Sequence, residues 1–250
     1  MASIRPLLAC LALGSSLFAA DAPAAGPLTV ADVTAKAHAA AAKDPKALER
    51  VKSLYLEAKI TDAEGKGAGS VIIQVAAPAK RREFAYNANH SLETITCANG
   101  LEGWTKRSEL VTGGRSELGV MRFEAVATLK DMAADELGFY ATPANGKAEY
   151  KGEAEINGAK VHSVEYSYKS GFKIVRHFDA KDFHLVASDM TGPGGKIQRQ
   201  VVDDVQWVDG VAFTKKETVL LDGKKVSQVE YTQVVVNHEV SDAAFAFPQR

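Results

Sequence analysis

The side chains whose types and spacing best suit chemistry lie in the stretch 172–189. If Asp179-Ala180-Lys181-Asp182 forms a four-residue hairpin loop, Phe178 faces Phe183 and His177 faces His184 across two strands. Two imidazoles with Asp179 or Asp182 beside them would suit a divalent metal. The same pattern also reads as two solvent-facing histidines next to a packed aromatic pair. His38, His90, His162 and His238 stand alone. Cys97 would need a partnered base to act as a nucleophile, and its place in a strand just before a hairpin turn reads as a small core residue. Lys80, Arg81 and Arg82 follow Pro78 as a basic run. They suit contact with an anionic head group, or a solvated edge that discourages strand pairing. No phosphate-binding glycine loop, G-x-S-x-G, H-E-x-x-H or C-x-x-C occurs, and the acids are scattered. The expectation is a non-enzymatic protein with no metal and no cofactor.

The elements that must position these residues are mostly strands. From about residue 52 onward the chain reads as a ladder of antiparallel strands, with corners at Asn99-Gly100, Asn157-Gly158, Asp209-Gly210 and Asp222-Gly223, dipeptides that favour the primed hairpin turns. Leu54, Leu56, Ala58 and Ile60 alternate with Tyr55, Glu57 and Lys59. One helical insert interrupts the ladder after the Gly113-Gly114 loop, where Val126, Leu129, Ala133 and Leu137 recur at steps of three and four. That stripe must bury against the sheet. Ahead of the strands, an alanine-rich helix opens at Thr29 and a shorter turn at Asp44-Pro45. Phe245 and Phe247 near the C-terminus form a pinning pair. The fold class expected is mainly β: a large curved antiparallel sheet forming an unclosed half-barrel, with the N-terminal helix and the inserted helix covering its concave face.

Composition narrows the function classes. A formal net charge of -1 offers no basic surplus for nucleic acid. Arg5, the apolar run over residues 7–20 and the small residues Ala22 and Ala24 around Pro23 read as a signal peptide over residues 1–24. The mature part, 25–250, reads as a single domain. Export to the periplasm follows, with Cys97 as the one cysteine kept and no internal disulfide. The strand aromatics, among them Trp104, Trp207, Tyr166, Phe178 and Phe213, either line a cavity for an apolar ligand or form ordinary core.

Several stretches carry a family resemblance: residues 47–58, a helix end running into a strand; residues 69–78, a strand closed by Pro78; Asn99-Gly100-Leu101-Glu102-Gly103-Trp104; Val208-Asp209-Gly210-Val211-Ala212-Phe213; and the ending 236–248. Together they resemble the LolA/LolB-like periplasmic lipoprotein carriers. The resemblance implies a non-enzymatic, monomeric carrier that takes lipid or the acyl chains of a lipoprotein into a hydrophobic cleft and hands them between membrane-associated donor and acceptor proteins. It implies a cleft and lid built from Leu54, Leu56, Ile73, Trp104, Phe123, Val126, Leu129, Met132, Leu137, Tyr166 and Phe178. One departure is Ala77, where the dedicated carriers hold a basic residue tied to cargo release. That departure favours general lipid or acyl-ligand binding over lipoprotein shuttling. The other function for such a fold is a sensory or scaffold module that binds a protein partner in the cell envelope.

Overall fold

The computed structural model describes residues 28–248. The signal-peptide reading of residues 1–24 lies outside them. The first described element is α1 (Val30–Ala40), capped as its sequence predicts: the Thr29 side chain accepts from the Asp32 amide, and the Asp32 carboxylate accepts from the Thr29 backbone. A one-turn helix, α2 (Pro45–Glu49), starts at Asp44. Five strands follow: β1 (Ser53–Asp62), β2 (Gly67–Ala76), β3 (Lys80–Asn87), β4 (Leu92–Ala98) and β5 (Gly103–Glu109). A sixth, β6 (Ser116–Val120), precedes the insert helix α3 (Phe123–Gly138). The second half runs through β7 (Gly146–Ile156), β8 (Ala159–Tyr168), β9 (Lys173–Asp179), β10 (Leu185–Thr191), β11 (Ile197–Val208), β12 (Val211–Leu221) and β13 (Lys224–Val236).

All thirteen strands form one sheet, in the order β6-β5-β4-β3-β2-β1-β13-β12-β11-β10-β9-β8-β7. Every neighbour is antiparallel, and β1 joins the two halves by pairing with both β2 and β13. The edges are β6 and β7. They are consecutive in the chain but do not pair, so the barrel stays open and α3 is the connection that crosses between its two edges. Strand β6 was not expected. All five of its residues are exposed, so no alternation of buried and exposed side chains marks it.

The turn dipeptides do the work expected of them. At Asn157-Gly158, Asp209-Gly210 and Asp222-Gly223 both residues have positive φ, as a primed two-residue turn requires. Asn99-Gly100 sits in a longer loop, where the Asn99 side chain accepts from the amides of Leu101 and Glu102.

The sheet is curled rather than flat. Strands β3 and β9 are seven steps apart in the order, which would separate them by about 34 Å in a plane. Yet residues from both line a single cavity together with α3. Helix α1 packs on β7 and β8, with Val33 and Ala37 against Val164, Tyr166 and Phe178. Helix α3 packs on β2 to β5, and Val126 and Leu129 rest on Ala98. Gly103 lets α3 come this close: a Cβ there would stand 2.8 Å from Val126 Cγ2 and 3.0 Å from the Cys97 carbonyl oxygen. On the opposite face of β4 and β5, the C-terminal turn Asp242–Phe245 places Phe245 in a cluster with Ile95, Cys97 and Trp104. Only one residue of the expected pinning pair is buried, since Phe247 stays 42% exposed.

Candidate functional site

Between the sheet and α3 lies a hollow of about 270 Å³. It runs into a second cavity of about 150 Å³ that shares Leu56, Asp135, Glu136, Arg176, Thr214 and Tyr231 with it. Of the residues expected to form a cleft, the structure brings four to this space: Leu54, Leu56, Ile73 and Met132. Val126, Leu129 and Leu137 anchor α3 to the sheet and the neighbouring core. Phe123, at the first turn of α3, is 79% exposed and lines a separate outward recess with Leu101, Val120 and Phe247. Tyr166 and Phe178 are fully packed beneath α1. Trp104 lies across the sheet from the hollow: Ala98 touches α3, so its neighbour Cys97 and the paired Trp104 point the other way. Its indole donates to the Phe245 carbonyl at 3.4 Å.

The walls of the hollow are not purely apolar. Two ion pairs tie α3 to opposite sides of the curled sheet from adjacent helical positions. Glu136 accepts from Arg81 Nε on β3 at 3.2 Å, and Arg81 also donates to Glu83 at 2.8 Å. Asp135 pairs with Arg176 on β9 and accepts from the Tyr168 hydroxyl at 2.8 Å. Asp131, one turn earlier, accepts from Asn145 and from the Ser170 amide. The Arg176 guanidinium also faces the rings of Tyr140 at 5.0 Å and Tyr166 at 5.7 Å. Burial works against the charge of both arginines, but the facing carboxylates overcome it and raise their affinity for the proton. Glu136 keeps 24% of its side-chain surface. That surface opens on the cavity rather than on bulk water. Burial therefore pushes its carboxyl above the usual range, with Arg81 pulling it back.

Arg81 thus leaves both readings of the basic run. It is buried in an internal ion pair, while Arg82 bonds Gln74 and covers Phe84, and Lys80 pairs with Asp242. Strand β3 lies inside the sheet rather than at an edge. The stretch 172–189 is also corrected. A register shift in β10 pairs Phe178 with Leu185 and His177 with Ala187, so His177 does not face His184. His184 lies 3.2 Å from Asp182 and edge-on to Trp207. No group of three metal-ligating side chains occurs among the described residues. Burial raises the Cys97 thiol to about 11, which leaves almost no thiolate at neutral pH.

His177 instead belongs to a polar row on the outer face. Ser163 Oγ lies 2.9 Å from His177 Nδ1, and His177 Nε2 lies 3.2 Å from Asp189 Oδ2, off the line of a hydrogen bond. Arg199 grips Asp189 with two bonds of 2.7 Å and, with His177, holds its carboxyl at about 2 against the effect of burial. The residue types are those of a hydrolytic triad, but Ser163 and His177 are both buried in mid-strand and neither lines the hollow. A nucleophile needs a cavity for its substrate, so this row reads as a cross-strand clamp. Ser163→Ala is expected to lower stability by about 1 kcal/mol, seen as a lower urea midpoint with an unchanged slope.

The most informative polar group is on β12. Thr214 and Glu217 both line the hollow although they are three positions apart, a spacing that strict alternation would put on opposite faces. The β11–β12 register slips between Val202 and Val205, leaving Asp203 and Lys215 without opposite partners. The bulge brings Thr214 to the same space as Glu217, which already shares the inner face with Val211, Phe213 and Val219. Burial and the nearby Asp203 raise its carboxyl to about 7. Alternation puts Glu217 on the buried face with Val211 and Val219, a carboxylate among apolar neighbours on the strand.

With this geometry in hand, the fold has clear counterparts. A DUF1329 family protein from Desulfovibrio piger is similar over 87% of this chain and 97% of its own, at 11% identity and a TM-score of 0.55. A LolA superfamily protein from Nitrosomonas europaea is similar over 88% and 98%, at 10% identity and a TM-score of 0.55. The likeness to both is one of fold, an open antiparallel sheet with covering helices. No family model and no curated protein matches the chain in sequence.

Proposed function

We propose that this chain is a non-enzymatic binding or carrier protein of the bacterial periplasm, and that the hollow between the sheet and α3 receives the apolar chain of a lipid or of an acylated protein. The observation that carries this reading is the hollow itself, with Leu56, Ile73 and Met132 converging from sheet and helix. Shielding an acyl chain from water gains about 0.8 kcal/mol per CH₂. The carrier role implied by the sequence resemblance, the fold-level likeness to a LolA superfamily protein and the export read from residues 1–24 agree with it. The hollow of about 270 Å³ and the adjoining cavity of about 150 Å³ together lie near the low end of the roughly 300–1,000 Å³ typical of ligand pockets. A long chain therefore requires α3 to shift. The helix is held at its C-terminal end, where the Phe139 carbonyl lies 2.8 Å from His38 Nδ1 and the Tyr140 carbonyl accepts from the Tyr166 hydroxyl. Opening would swing its N-terminal half.

The test is native mass spectrometry of the periplasmic protein with solvent extraction, followed by titration with dodecanol. Co-purified lipid, saturable dodecanol binding and a loss of about tenfold or more in Ile73→Glu, whose folded spectrum is retained, are the expected results. An apo mass and no uptake would overturn the reading. The alternative, a module that docks a protein partner, is favoured by one observation: the exposed recess at Leu101, Val120 and Phe123 beside the unpaired edge β6.

A further inference from the structure

The ion pairs around the hollow leave one acid over. Its charged lining comprises Arg81, Asp135, Glu136, Arg176 and Glu217. Arg81 is matched by Glu136 and Arg176 by Asp135. Glu217 is matched by nothing. It is 6% exposed, it faces the cavity, and no hydrogen bond reaches its carboxyl among the described residues. The groups around it are known from every side. Asp203 on β11 repels it, Tyr231 on β13 senses both Glu217 and Glu136, and α3 presents only the engaged Asp135 and Glu136. Arg81 and Arg176 on the far walls do not relieve it, since burial and Asp203 alone shape its acidity. A buried carboxyl without a donor is a group awaiting one. It stands opposite Val202, another residue of the lining, next to the bulge in the β11–β12 pairing.

We infer that the hollow takes an amphiphile with an apolar tail and an amino head group, whose N–H donors meet the Glu217 carboxylate. The inference rests on the proposed function and names the chemistry of its ligand. Leu56, Ile73 and Met132 offer the tail an apolar wall, while three acids against two arginines leave the lining negative. An anionic head group would face Glu217 and find both arginines already engaged. An alkylammonium, with a pKa near the roughly 10.4 of a lysine side chain, stays charged across the range in which Glu217 ionises.

The experiment compares dodecylamine, dodecanol and dodecanoate by calorimetry with the full mature chain and with Glu217→Gln. Above the ionisation of Glu217, at about pH 8, the amine is expected to bind about tenfold or more tightly than the alcohol. This advantage should shrink near pH 6 and disappear in Glu217→Gln. Equal or tighter binding of dodecanoate, or an amine advantage that survives in Glu217→Gln, would overturn the inference and leave the lipid reading standing. Failure of all three to bind the unaltered chain would overturn both.

Discussion

Asp135→Ala is expected to lower the unfolding free energy by about 3–5 kcal/mol, measured by urea denaturation at neutral pH. The reason is Arg176 rather than the aspartate itself. Its guanidinium is packed between the cavity and the rings of Tyr140 and Tyr166, and its Nε has no partner. Asp135 supplies the anion that lets this charge stay buried, and the Tyr168 hydroxyl would lose its acceptor as well. An exposed pair such as Lys147–Glu149, with side chains 69% and 49% exposed, is worth only about 0–1 kcal/mol. Position therefore decides the magnitude. The double variant Asp135→Leu with Arg176→Met removes both charges and should recover most of the loss, since apolar replacement of a buried pair is often close to neutral. A cost below about 1 kcal/mol for Asp135→Ala would show that α3 readily lifts and lets water reach Arg176.

This pair also bears on how the hollow would open. Asp135 and Glu136 reach opposite walls of the curled sheet from adjacent positions on one helix. They act together as a strap across the barrel opening. Any shift of α3 large enough to admit a chain must keep these contacts or exchange them for others. In the N-terminal half Phe123 is exposed, but Val126 and Leu129 are buried against Ala98, so lifting that half costs their burial. The helix is thus held by apolar contacts in its first half and by the ionic strap in its second.

Much of the fold was legible from the chain because it rests on local rules. Alternation at Leu54, Leu56 and Ala58, positive-φ turns at Asn157-Gly158 and Asp222-Gly223, and the capped start of α1 at Thr29 each depend on neighbours in sequence. The helix stripe at Val126, Leu129 and Ala133 was legible for the same reason. The polar lining of the hollow was not. Arg81 and Glu136 are brought together only by the curl of the sheet, and their separation in sequence carries no trace of it. Asp131 and Asp135, one turn apart beside the apolar stripe, gave a weak signal of a second buried face. The expected pairing of His177 with His184 failed at a register shift, and the Asp203 that neighbours Glu217 is left unpaired at another. Trp104 read as a cleft residue because an aromatic on a strand does not reveal which face it takes once both faces are covered.

Glu217→Gln is expected to change the pH dependence of stability strongly. The folded protein raises this carboxyl from 4.5 to about 7. Below about pH 4.5 both folded and unfolded chains hold the proton, and the full stability is present. As the pH rises toward 7 the unfolded chain releases its proton while the folded chain keeps it, so stability falls. Above 7 both forms are ionised and the loss is complete, at about 3 kcal/mol. Glu136, also raised, adds to the same slope, whereas the lowered acid Asp189 acts only at much lower pH. Replacing Glu217 by Gln removes its part of that slope. The variant should match the parent near pH 4 and melt about 6–12 °C higher near pH 8, as followed by circular dichroism. Identical pH profiles for the two proteins would mean that Glu217 is already solvated in the folded state, and that water fills the hollow at the place where a ligand's donor was inferred.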